Sequence, residues 1–120
     1  MDTREKIVPL GDLTARLGDG KWLAVVGRFD PMTAAQAIRI EESGGQGRAI
    51  LAVVEEGEDC LLPVEARAAL VAALRSVELV VIAGATALKA YPKIEIVEDE
   101  EGERARSAEF VEFVRRRQGA

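Results

Sequence analysis

Residues 26–40, VGRFDPMTAAQAIRI, decide how this chain reads as a fold. An apolar run ends here, a tight turn containing Gly27, Asp30 and Pro31 follows, and the remainder carries helical spacing. A strand, turn and helix in that order have the shape of a phosphate-binding site, because a helix N-terminus favours anions. Yet Thr33, Ala34, Ala35 and Gln36, where charge would be sought, carry none.

Upstream, Leu10, Leu13 and Leu17 fall at helical spacing and predict a short helix over 10–17, ended by Gly18 and Gly20. Residues 21–26 read as a short strand. The helix over 33–42 is expected to turn Ala34, Ala37, Ile38 and Ile40 inward. Residues 43–47 are a loop by composition, and 48–54 a second buried strand. Pro63 is placed at the first position of the next helix, where its missing N–H costs nothing. Val64, Ala68, Val71 and Leu74, with Leu70 beside them, make that helix's apolar stripe. Residues 77–84 form a third strand, 85–91 a short helical turn, and 93–97 alternate like an edge strand. The acidic run 98–104 reads as a solvated loop. Residues 107–117 read as a final helix with Phe110, Val111 and Val114 facing in and three arginines near its C-terminal end.

Strands alternating with helices, and apolar on both faces, predict an α/β fold: a Rossmann-like parallel sheet with helices on both faces. Its central strands are expected at 23–26, 50–54 and 79–82, with 93–97 towards an edge. Ligands of such sheets bind at the carboxyl edge, near the switch in strand order, which is where 26–40 would lie.

At 120 residues one domain, 1–120, is expected. A hydrophobic fraction of 48% against 31% charged residues speaks for a packed domain rather than disorder. A net charge of −5 argues against nucleic acid as a partner. No apolar run approaches the ~20 residues that cross a bilayer, so no membrane partner is expected. The opening MDTREKIVPL has mixed charge and no apolar core of a signal peptide, which makes the cytoplasm the default location. Cys60 is the only cysteine, so no intramolecular disulfide forms. The chain has no histidine, which removes Ser-His-Asp and Cys-His nucleophilic machinery and histidine metal sites. Plentiful Asp and Glu leave a magnesium site open.

Gly27, Phe29, Asp30 and Pro31 after an apolar strand resemble the G-x-F-D-x-x-H-x-G-H signature of the cytidylyltransferase-like nucleotidyltransferases. The likeness is greatest to the heptose-1-phosphate adenylyltransferase domain of bacterial lipopolysaccharide biosynthesis and to glycerol-3-phosphate cytidylyltransferase. Residues 6–17 resemble the lead-in helix of the heptose enzymes. Pro63, Arg67, Leu74, Val77 and Glu78 match their P-x-x-x-R helix and the strand after it. The resemblance covers roughly residues 6–84 and implies the nucleotidyltransferase fold. It also implies attack by a substrate phosphate on the α-phosphorus of a nucleoside triphosphate, releasing pyrophosphate, with the protein positioning phosphates and stabilising charge.

The chain departs from that pattern where the chemistry lies. Thr33 and Gln36 stand at the two histidine positions and Ala35 at the motif glycine. Neither side chain can carry positive charge, and charge-assisted hydrogen bonds are about twice as strong as neutral ones. Losing one transition-state donor typically costs about 3–4 kcal/mol. The loop after the second strand is acidic, with Glu55, Glu56, Glu58 and Asp59 in place of basic residues. The family's lysine-glycine-rich loop has no clear match, and its serine/threonine-rich turn survives only as Ser107, preceded by Arg104 and Arg106.

The candidate nucleotide- or phosphate-binding residues are Gly27, Arg28, Phe29, Asp30, Thr33, Gln36, Arg67 and Ser107; no catalytic residue is assigned. Each has a plainer alternative. Gly27 to Pro31 can be a structural turn, with Phe29 in the core and Asp30 capping the next helix. Thr33 and Gln36 can be an ordinary first helical turn, Arg67 a solvated or ion-paired residue, and Arg104 and Arg106 surface charge. Cys60 reads as incidental and Trp22 as filling the core or an interface.

The preferred function is a divergent family member whose nucleotidyl transfer is lost or greatly weakened, leaving a binding or assembly role. The rival is an active enzyme using Thr33, Gln36, magnesium and arginines, with a nucleoside triphosphate and a phosphorylated small molecule as partners. A homodimer is expected, because few elements remain after the third strand to cover the sheet.

Overall fold

A computed structural model describes residues 2–44, 47–57, 59–91 and 94–98. Four strands, β1 (Trp22–Gly27), β2 (Ala49–Val54), β3 (Val77–Ile82) and β4 (Glu95–Glu98), form one parallel sheet in the order β3-β2-β1-β4. In register, Val25 lies opposite Ala52 on one side and Val97 on the other. The α/β reading of the sequence therefore holds; β1 and β2 are central as expected, whereas β3, also expected to be central, pairs only with β2 among the four strands and lies at the edge opposite β4. β4 starts at Glu95 instead of residue 93, which is outside the described residues, and it occupies the edge beside β1.

β1, β2 and β3 are largely runs of Val, Ile, Leu and Ala because both of their faces are covered. One core joins Val25, Ile50, Ala52 and Val54 to Ile40 of α2 (Ala34–Ser43) and Ala68 and Val71 of α3 (Val64–Ala72). The other joins Ala24, Val26, Leu51 and Val53 to Leu13 and Leu17 of α1 (Leu13–Leu17) and to Leu88 of a 3-10 turn, Ala85–Ala90. The first two crossovers thus pass over one face and the third over the opposite face. That change of face puts the switch point between β1 and β4.

Several local expectations shift. The 10–17 helix divides into a 3-10 turn, Leu10–Asp12, and α1; Leu10 is 43% exposed and only Leu13 and Leu17 are buried. On α2, Ala34 is exposed and Ile38 is 54% exposed, while Gln36 and Ile40 face the sheet. The helix begins at Ala34 behind a Thr33 cap, and that start fixes a phase in which 36 and 40 turn inward. Pro63 is the cap of α3, one place before the first helical residue. Leu70 lies outside the stripe, and Arg67 is buried in its stead, 2% exposed. Trp22 is half-buried and donates Nε1–H to the Leu17 carbonyl at 2.9 Å. Glu98, read as the start of the acidic loop 98–104, is the last residue of β4; residues 99–104 are outside the described ones, as are the helix read at 107–117, Ser107, Arg104 and Arg106.

Candidate functional site

β1 ends at Gly27, and the chain turns through Arg28, Phe29 and Asp30 into α2 at the carboxyl edge of the sheet. Phe29 takes φ +52°, a left-handed conformation that a bulky residue rarely adopts. Its ring repays the strain by burial in the core, 1% exposed against Val25 and Ile40. Phe29 therefore anchors the turn.

Thr33 and Gln36 are committed to starting the helix. Thr33 Oγ1 accepts from Gln36 N–H at 3.1 Å, and Gln36 Oε1 accepts from Thr33 N–H at 3.1 Å. This reciprocal capping box satisfies two backbone donors that a helix start otherwise leaves open. Gln36 is 2% exposed, so its side chain is held beneath the turn.

Asp30 does not cap α2, as its position had suggested. Its carboxylate accepts from the backbone N–H groups of Leu61 and Leu62, the latter at 2.8 Å, and so ties the β1 turn to the approach of α3. Both carboxylate oxygens are engaged.

Arg67 is neither solvated nor aimed at an external phosphate by its Nη1. That nitrogen donates to the carbonyl oxygens of Arg28 at 2.8 Å and Glu55 at 2.6 Å, and Nε donates to Leu62 O at 3.0 Å. One buried guanidinium thereby braces the exits of β1 and β2 and the entry to α3. Hydrogen bonds from a charged group contribute roughly 1.5–3 kcal/mol each.

Cys60 belongs to the same cluster. Burial pushes its thiol above the ordinary range; Arg67 and Arg28 pull it down, and Asp30 adds to the rise. A Cβ on Gly57 would lie 3.0 Å from Cys60 Sγ and 3.3 Å from Arg28 Cζ, so glycine there lets both side chains lie against the loop. Nothing in the sequence marked Cys60 as a neighbour of Asp30, which stands on the far side of β2 in the chain.

Beside this cluster, a cleft of about 290 Å³ opens between α2 and β4 at the switch point. Val25, Phe29, Ile40 and Val97 make its apolar floor, and Gln36, Arg39, Glu42 and Ser43 its polar side. The spacing 36, 39, 40, 43 is one helical face, the signal from which Arg39 and Ser43 were recoverable. Of the candidates, Gly27, Arg28, Phe29, Asp30 and Arg67 gather at the carboxyl edge, with Thr33 and Gln36 at the start of α2. Among the described residues no group of three or more Cys, Asp or Glu is arranged to hold a metal ion. No helix among the described residues is long and apolar enough to cross a membrane.

No protein-family model matches this chain, and no curated protein matches it either.

Proposed function

We propose that this chain is a divergent cytidylyltransferase-like nucleotidyltransferase, with transfer lost or strongly weakened and a binding or assembly role kept. The observation that carries the reading is the Thr33–Gln36 capping box. The two side chains at the motif's histidine positions are spent on the helix start, so neither is available to stabilise charge on a triphosphate. Asp30 and Arg67, which match the motif, are likewise spent on backbone groups. The crevice between β1 and β4 remains as the place where a phosphorylated ligand binds. The protein acts in the cytoplasm, assembled as a homodimer, in a role related to lipopolysaccharide precursors.

The test is pyrophosphate release from ATP and CTP with magnesium and a panel of sugar and polyol phosphates, run beside calorimetry. The expected result is release at background. Turnover on the order of 1–10³ s⁻¹, usual for enzymes, would overturn the reading.

A further inference from the structure

The floor of the cleft between α2 and β4, made by Val25, Phe29, Ile40 and Val97, offers a ligand no side-chain donor or acceptor. Polar groups stand only along the α2 side, and they are already engaged. Gln36 Oε1 accepts from Thr33 N–H at 3.1 Å, and Ser43 Oγ donates to the Arg39 carbonyl one helical turn back at 2.7 Å. Arg39 has a further interaction within the molecule. We propose that the cleft receives an uncharged apolar group, so that its ligand is the phosphate ester of an apolar alcohol and not of a polyol. That ligand class rests on the proposed reading of the crevice as the place where a phosphorylated ligand binds.

Size follows from the volume of about 290 Å³. A water molecule takes about 30 Å³ of liquid, so the cleft has room for on the order of ten non-hydrogen atoms, such as a bicyclic ring or a branched chain. Val97, 39% exposed on the edge strand opposite Val25, is the floor residue with the most apolar surface left to cover. Covering it removes apolar surface from water, which favours binding.

A polyol in the same place gives up water from each hydroxyl and finds no partner over the floor. Each polar group buried unpaired weakens binding by roughly tenfold.

Charge sets the direction of the ligand. Glu42 and the carboxyl end of α2 lie at one end of the cleft, and both disfavour an anion there. The phosphate therefore points away from Ser43, towards the turn that precedes α2.

The experiment uses the full chain and three probes: naphthyl phosphate, glycerol phosphate and naphthol. In calorimetry naphthyl phosphate is expected to bind at least about tenfold more tightly than glycerol phosphate. It is also expected to shift the methyl resonances of Val25, Ile40 and Val97. Val97→Asp is expected to remove most of the advantage, and Ile38→Asp, on the outward face of α2, to leave it intact. Where Val97→Asp does not fold, the methyl shifts of the unaltered chain decide. Glycerol phosphate binding as tightly as naphthyl phosphate overturns the proposal and leaves the phosphorylated-ligand reading standing. Naphthol binding as tightly as its phosphate upholds the apolar cleft and sinks that reading instead. Equal loss in the two variants, or unmoved methyls, overturns the proposal, and no binding by any probe overturns both.

Discussion

Arg67 holds Arg28 by its backbone: Nη1 of one donates to the carbonyl oxygen of the other at 2.8 Å. The contact joins the Arg67 guanidinium to the backbone of Arg28 and not to its side chain. The same guanidinium reaches Glu55 and Leu62, so the exits of β1 and β2 and the approach to α3 converge on a single cation 2% exposed. Asp30 completes the brace from the opposite side by accepting from Leu61 and Leu62.

Arg67→Met should therefore cost about 3–5 kcal/mol, since three partly buried backbone contacts lose their charged donor at once. Arg67→Lys, with one short-reaching ammonium for three acceptors, should recover only part of it. Urea unfolding with an unchanged slope would measure both losses.

Asp30→Ala should cost about 2–3 kcal/mol by leaving the Leu61 and Leu62 amides without their acceptor. Asp30→Asn should be milder, because one amide oxygen still accepts. Hydrogen exchange at those two amides should accelerate in step with the loss in a thermal melt.

Thr33→Ala removes half of the capping box and should cost about 1 kcal/mol, whereas Thr33→Ser should stay near the parent. Neither change should alter pyrophosphate release, already at background in the proposed reading. A rate that falls with Thr33→Ala would show the hydroxyl at work in catalysis.

Cys60 supplies a pH prediction. Burial raises its thiol pKa in the folded chain, so the folded state holds the proton where the unfolded state releases it. The resulting stability is fully present below the unfolded thiol's value of about 8.5 and is lost as pH rises through the folded value. Cys60→Ser should flatten that alkaline decline in denaturant titrations. Alkylation of Cys60 at mildly alkaline pH should be slower in the native chain than in urea.

The strands and their parallel arrangement were legible because burial on both faces leaves a near-continuous apolar run in the sequence, as in AILAVV over Ala49–Val54. Leu13, Leu17, Val71 and Phe29 were likewise readable as core. Ile38 and Leu70 were misplaced because short helices hold few apolar residues, and a shift of one position in the start rotates the inward face by about 100°.

By itself, then, the sequence determined the α/β class, the βαβ order and the absence of histidine chemistry, since these depend on composition and local periodicity. The tertiary structure alone decided what the polar residues of the turn do. Thr33 and Gln36 close on each other, Asp30 reaches Leu62, and Arg67 reaches Arg28 and Glu55. A hydrogen bond depends on a few tenths of an ångström and on direction. Such distances between segments exist only once the sheet has brought the ends of β1, β2 and the start of α3 to one edge.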